Sequence, residues 1–307
     1  MQVSRRAYLE LHIAVFLFGF TAILGKLIHM NAFLLVWWRV FLTSASLLFF
    51  LKGGTALRKL SRALVLRIMG IGVLVALHWL LFYGAIKAAN ASVALIGMAT
   101  ISFFTALIEP IVIRRRIRYL EIGLGLLMIP GMALIVNSIQ EGFFFGMIIA
   151  LASAFLAALF GTLNKYYIAQ DTNPVSLTFL QLGSSCIFLS ALLWPAHQAY
   201  GVLNNGLLPP TLADWGYLLV LSLMCTTLAY VLAIRSLRYI PAFAFNLTIN
   251  LEPVYGILLA WAMLDEHKTM DLKFYLGAAI IAIAVCIYPQ LQKKKQNETF
   301  PKEHTGI

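Results

Sequence analysis

Apolar residues in this chain neither alternate nor mark one helical face. They run on in long blocks, separated by short polar knots. A helix that crosses the hydrocarbon core of a bilayer needs about 20 mostly apolar residues. Blocks of that length recur from one end of the chain to the other. The pattern predicts ten spans, at 7–28, 33–51, 65–86, 92–113, 119–136, 143–168, 175–194, 212–236, 242–264 and 272–290. No interval between them holds a soluble domain. The longest, Pro195 to Thr211, is a connection, and residues 293–307 form a polar tail expected to be disordered.

Composition sharpens this picture. The 307 residues are 61% hydrophobic and 11% charged, with a mean hydropathy of +0.87. A soluble domain carries about 25% charge. The first block is too long for the apolar part of a signal peptide and lacks a clear cleavage site, so it is expected to stay as a mature helix. Net charge is +11, which raises the question of nucleic acid. Its placement answers against that partner. With the N-terminus inside, 18 of the 23 basic residues fall in loops and ends on the cytoplasmic side, among them Arg58, Lys59, Arg62, the Arg114–Arg118 cluster and Lys293–Lys295. This is the positive-inside bias. It predicts a multi-pass protein of a bacterial inner (cytoplasmic) membrane with both termini cytoplasmic. The basic loops also attract anionic lipid headgroups.

The chain repeats itself. "NAFLLVWWR" from Asn31 and "NPVSLTFLQ" from Asn173 each carry an Asn at the loop and a polar residue eight positions on, Arg39 and Gln181. "LFG" at Leu17 recurs at Leu159, and "AIK" at Ala85 recurs as "AIR" at Ala233. Two halves result, 1–140 and 141–292, of five spans each. Five is odd, so the halves should lie in the membrane with opposite orientation, as inverted repeats do in many transporters. The expected fold is therefore all-α, ten transmembrane helices in two inverted five-helix repeats.

The motifs then become specific. "FGFTAILGK", "WWR", "YGAIKAANASVALI" and "YVLAIRSLRYIPAFAFNLTINLEPVYGILLAWAMLDE" are similar to members of the EamA family, in the drug/metabolite transporter superfamily. The resemblance covers about residues 7–290. In the second half "LDEHK" follows the acidic-basic turn of that family, whereas the first half has "RRRIR" at the matching place. The resemblance implies a transporter of amino acids, other metabolites or drugs, mostly outward.

Candidate chemistry lies in the polar residues of the spans. A carboxylate at the centre of a membrane helix costs about 2.5–3.5 kcal/mol on insertion scales. Glu252, near the middle of the ninth span, should then be protonated, paired or wet. Pro253 beside it deprives the Ile249 carbonyl of its helical partner. Asn246 and Asn250 accompany it on the same helix, and this group is the first candidate for substrate or proton binding. The alternative is a polar clamp between helices. Glu109 also precedes a proline, Pro110, but lies near the cytoplasmic end of the fourth span, where pairing with the nearby arginines is the competing role. Arg39 lies about 9 Å into its helix at 1.5 Å per residue. It either snorkels outward or serves as a fixed cation for a carboxylate. His78, Trp79 and Tyr83 share the third span, and with Tyr230 and Gln181 they complete the candidate site. Trp37 and Trp38 either line a cavity or form an interfacial belt.

Two function classes fit a chain of this kind. A secondary transporter working by alternating access, with a proton as candidate coupling ion, needs an inverted repeat and a central polar cavity. A membrane-embedded enzyme or lipid-processing subunit needs clustered catalytic groups, and no such motif is found. Cys186, Cys225 and Cys286 are scattered over three spans, so no metal or other cofactor is expected. The expected partners are a small-molecule substrate and membrane lipids, with the chain acting as a monomer or homodimer.

Overall fold

A computed structural model describes residues 5–51, 60–114, 141–168, 173–240, 251–264 and 271–280. It also describes residues 116, 119, 122, 123, 130, 131, 134, 245, 248, 249, 283 and 287. The elements in chain order are α1 (Arg5–Leu27), α2 (Ala32–Phe50), α3 (Arg62–Ala88), α4 (Ala91–Met98) and α5 (Ile101–Ile113). After these come α6 (Phe144–Ile168), α7 (Pro174–Tyr200), α8 (Leu212–Leu219), a π-helical segment (Val220–Leu228), α9 (Ala229–Leu237) and α10 (Leu251–Met263). Among the described residues, seven helical stretches are long and apolar enough to cross a membrane. They coincide with seven of the ten expected spans. The stretch Ala91–Ile113 combines α4 and α5, and Leu212–Leu237 combines α8, the π segment and α9. The ninth expected span is described as the shorter α10. Most of the fifth and the end of the tenth lie outside the described residues.

Local chemistry sets the helix starts. Each helix leaves its first N–H groups without a partner, and a side-chain oxygen at the N-cap supplies one. Asn31, Ser61, Asn90, Asn173 and Thr211 do this for α2, α3, α4, α7 and α8. The repeated asparagines Asn31 and Asn173 are thus equivalent caps of α2 and α7. At Thr211 the cap is reciprocal, because Asp214 accepts from the Thr211 backbone N–H.

One expected boundary is wrong. The connection said to begin at Pro195 begins after Tyr200, because α7 continues through the proline and ends only where Gly201 adopts φ +62 and donates its N–H to the His197 carbonyl. A proline removes one helical hydrogen bond without forbidding the helix, and glycine stops it by entering the left-handed region at no steric cost.

The two halves interlock. α3 packs against α6 and α7, α1 against α9 and α10, and α2 against α7 and the π segment. Small residues let these backbones approach closely. A Cβ on Gly72 of α3 would collide with the Gln181 carbonyl and the Ser184 hydroxyl of α7. At the same seam Ser184 donates to the Met69 carbonyl at 3.0 Å and Ser185 to the Gly72 carbonyl at 2.6 Å. Polar ties also mark the two ends of the bundle. At one end Glu10 of α1 is ion-paired with Arg235 of α9 and with Arg6, and Lys165 of α6 donates to the Leu237 carbonyl. At the other, the His29 backbone N–H donates to Asp214 at 2.8 Å, Lys87 of α3 to the Ile28 carbonyl, and the Trp38 indole to the Leu207 carbonyl.

Candidate functional site

A cavity of about 90 Å³ lies between helices of both halves. Its apolar wall includes Phe18, Phe82, Phe160, Met98 and Ile249; its polar groups are Thr21, Arg39, His78, Asn164, Tyr230 and Glu252.

Arg39 does not snorkel. Its side chain is 2% exposed and turned inward. The guanidinium lies over the Trp79 ring, 3.8 Å from its centroid. Nε donates to the Thr226 hydroxyl at 2.7 Å, and one terminal nitrogen donates to the Tyr83 hydroxyl at 2.7 Å. A desolvated cation–π contact is worth about 2 kcal/mol, and a hydrogen bond from a charged group about 1.5–3. Together they offset the insertion cost of the arginine without any carboxylate in contact. Among the described residues no acid pairs with Arg39 within salt-bridge distance. Its positive charge stays unneutralised by contact, with N–H groups to spare, and it borders open space.

Glu252, in the first turn of the described part of α10, is 8% exposed and borders the same cavity. Its charge couples to that of Arg39 across the space without a direct contact. Asn246 and Asn250 lie outside the described residues. Trp79 and Tyr230 meet edge to face with centroids 6.3 Å apart. The Tyr230 hydroxyl donates to Gln181 at 2.9 Å, and the Gln181 amide donates to Asn164. Gln181 therefore works behind the wall, as Tyr83 does behind Arg39. His78 borders the cavity and is tied to Ser153 of α6. Glu109, 6% exposed on α5, does not border it; its charge couples instead to Lys165. Trp37 and Trp38 are outside the lining too, with their indoles bonded to Ser190 and the Leu207 carbonyl.

Several participants escaped the sequence reading. Nothing in the sequence marks Thr226, Ser153 or Asn164 as site residues. A hydroxyl in an apolar helix usually satisfies itself on the preceding turn, so the sequence holds no sign that these reach across to another helix.

An all-helical multi-pass protein with an apolar-walled cavity between its helices, set with a few polar groups, and with no soluble domain among the described residues, has the architecture of a membrane transporter. The chain belongs to the EamA-like transporter family, which it matches twice, over residues 5–137 and 144–288, and so carries two EamA domains. It is 27% identical over 158 residues to the uncharacterized transporter YetK of Bacillus subtilis (strain 168), a match that takes in 51% of this chain and 44% of that protein. A solved crystal structure superposes with a TM-score of 0.64 over 94% of this chain and 98% of its own, at 16% identity, a likeness of fold. The protein is thus a multi-pass integral membrane protein of a transporter family. Membership of a transporter family sets aside the reading as a membrane-embedded enzyme.

Proposed function

We propose that the protein is a secondary transporter that moves small organic metabolites, such as amino acids or drugs, across the cytoplasmic membrane by alternating access. The two halves, 1–140 and 141–292, act as inverted five-helix repeats with both termini cytoplasmic. The cavity between them holds the substrate. One observation carries this reading: a fixed cation, Arg39, and an acid, Glu252, line one cavity without an ion pair between them. Such a pair suits a substrate that bears an anionic group, a cationic group, or both. Remote aromatic surface supplies the rest of the binding.

Glu252 is the proposed coupling group. A carboxyl here exchanges a proton for the amine of a cationic or zwitterionic substrate, because both compete for the same oxygens. The test is transport into proteoliposomes under an imposed proton gradient, with substrates drawn from a metabolite panel by competition binding to the purified protein. Glu252→Gln keeps shape and hydrogen bonding but cannot ionise. It should abolish gradient-driven accumulation and leave some exchange. Accumulation equal to the parent with an unchanged pH profile makes Glu252 a structural clamp.

A further inference from the structure

The groups around Arg39 differ in what they offer a ligand. Arginine only donates hydrogen bonds, and the Tyr230 hydroxyl already spends its proton on Gln181. The role of His78 depends on which ring nitrogen carries the proton, and its partners settle that. Nδ1 lies 2.9 Å from the backbone carbonyl of Ser153, an atom that can only accept. It also lies 2.8 Å from the Ser153 hydroxyl, whose own proton is donated to the His78 carbonyl at 2.9 Å. Both neighbours of Nδ1 are therefore acceptors, and Nδ1 must be the N–H. In the neutral ring Nε2 then carries the lone pair. Among the described residues Nε2 has no hydrogen-bond partner, although the residue is only 7% exposed. It is also absent from the polar atoms sealed off without a partner, so it faces the cavity. Trp79, the next residue, carries the guanidinium of Arg39 on its ring.

We propose that Ser153 holds His78 as the Nδ1–H tautomer so that Nε2 accepts a hydrogen bond from the transported molecule, which therefore pairs an anionic group on Arg39 with a neighbouring N–H or O–H donor. His78 is on this account a specificity-determining residue and Ser153 a positioning residue. The inference rests on the reading of the cavity as the transport site. It narrows the substrate to small acids that bear an amine or hydroxyl, and it disfavours bare carboxylates of the same size.

Two measurements test it, and they fail separately. Nitrogen-isotope NMR of labelled histidine in the purified protein, with the signal assigned by its loss in His78→Gln, should show a neutral ring protonated at Nδ1. A ring protonated at Nε2, or at both nitrogens, overturns the proposal. The second measurement is binding of three matched acids: isocaproate, with the anion alone, α-hydroxyisocaproate and leucine. The two donor-bearing acids should bind about tenfold more tightly than isocaproate, the equivalent of one net hydrogen bond. His78→Asn, whose amide reaches only the Nδ1 position, should erase the preference for α-hydroxyisocaproate and weaken that for leucine, whose amine also has Glu252 as a partner; His78→Gln, which places an acceptor near Nε2, should keep part of both. Retention of the full preference in His78→Asn refutes the acceptor role. Absence of binding by all three acids refutes the ligand class and leaves the transporter reading standing, since uptake of another substrate would still depend on Arg39.

Discussion

Arg39 decides the chemistry of the cavity. Its stack on Trp79 needs a planar guanidinium, and its two hydroxyl partners need N–H groups that diverge from one plane. Lysine has a point charge on a flexible stem and offers neither. Arg39→Lys should therefore keep the sign of the site but lose its geometry, with transport rates measured in proteoliposomes falling at least tenfold. Arg39→Ala should abolish transport while the purified protein still elutes as a folded species. Undiminished transport by the alanine variant would leave the arginine a purely structural role. At this scale the sequence pointed to Arg39 through its depth and its match with Gln181, but the choice between snorkelling and facing inward depended on Trp79, Tyr83 and Thr226. Those residues lie 40, 44 and 187 positions away in the chain.

The π-helical segment is what delivers Thr226 to that arginine. Thr226 and Thr227 donate to the carbonyls five residues earlier, Leu221 and Ser222, at 2.6 and 2.9 Å. The Ser222 carbonyl also takes the Thr43 hydroxyl, and Ser46 meets Thr227, so α2 is stitched to the wide turns. Wide turns of this kind recur at functional sites. Thr226→Val is nearly isosteric but removes the acceptor for Arg39 Nε; it should lower transport about tenfold, and Thr226→Ser should restore most of it. Equal rates in the valine variant would show that Arg39 is held well enough without it. The α3–α7 seam gives a second element-scale expectation. Gly72→Ala sets a Cβ against a backbone carbonyl that cannot step aside, which costs about 1–3 kcal/mol as overpacking. Gly70→Ala on the same helix meets nothing within 4 Å and should be neutral or stabilising. Thermal unfolding of the two variants in detergent makes the comparison.

Across the whole molecule, α1 is fastened to the α8–α9 span at both ends, by Glu10–Arg235 and by His29–Asp214. Two ties about one helix length apart resist both hinging and sliding. These helices should move as one body during transport. A short bifunctional thiol reagent joining Glu10→Cys to Arg235→Cys should therefore leave transport largely intact; a complete block would place the moving seam between α1 and α9. Orientation is a separate prediction from the charge bias. A cysteine at Asn204, in the connection between α7 and α8, should react with an impermeant thiol reagent in intact cells, and one placed after Lys295 should not. The opposite labelling would invert the topology.

What the sequence determined by itself was the medium, the long apolar helices and the duplication. All three rest on near-neighbour properties: a helix in lipid satisfies its own backbone, so the length of an apolar run is enough to announce it. The repeated Asn31 and Asn173 stood out in the sequence only as loop residues; the structure shows them as N-caps that act within three residues of themselves. Pro195 misled because a proline inside a helix and a proline that ends one look alike in sequence, and only the left-handed Gly201 distinguishes them. Tertiary structure alone decided which polar residues share a space. Arg39, His78 and Glu252 come from helices whose relative rotation is set by packing at small residues such as Gly72, a property of pairs of helices that no single run of residues carries. The tautomer of His78 belongs to that level too, because it is fixed by a carbonyl and a hydroxyl 75 positions away.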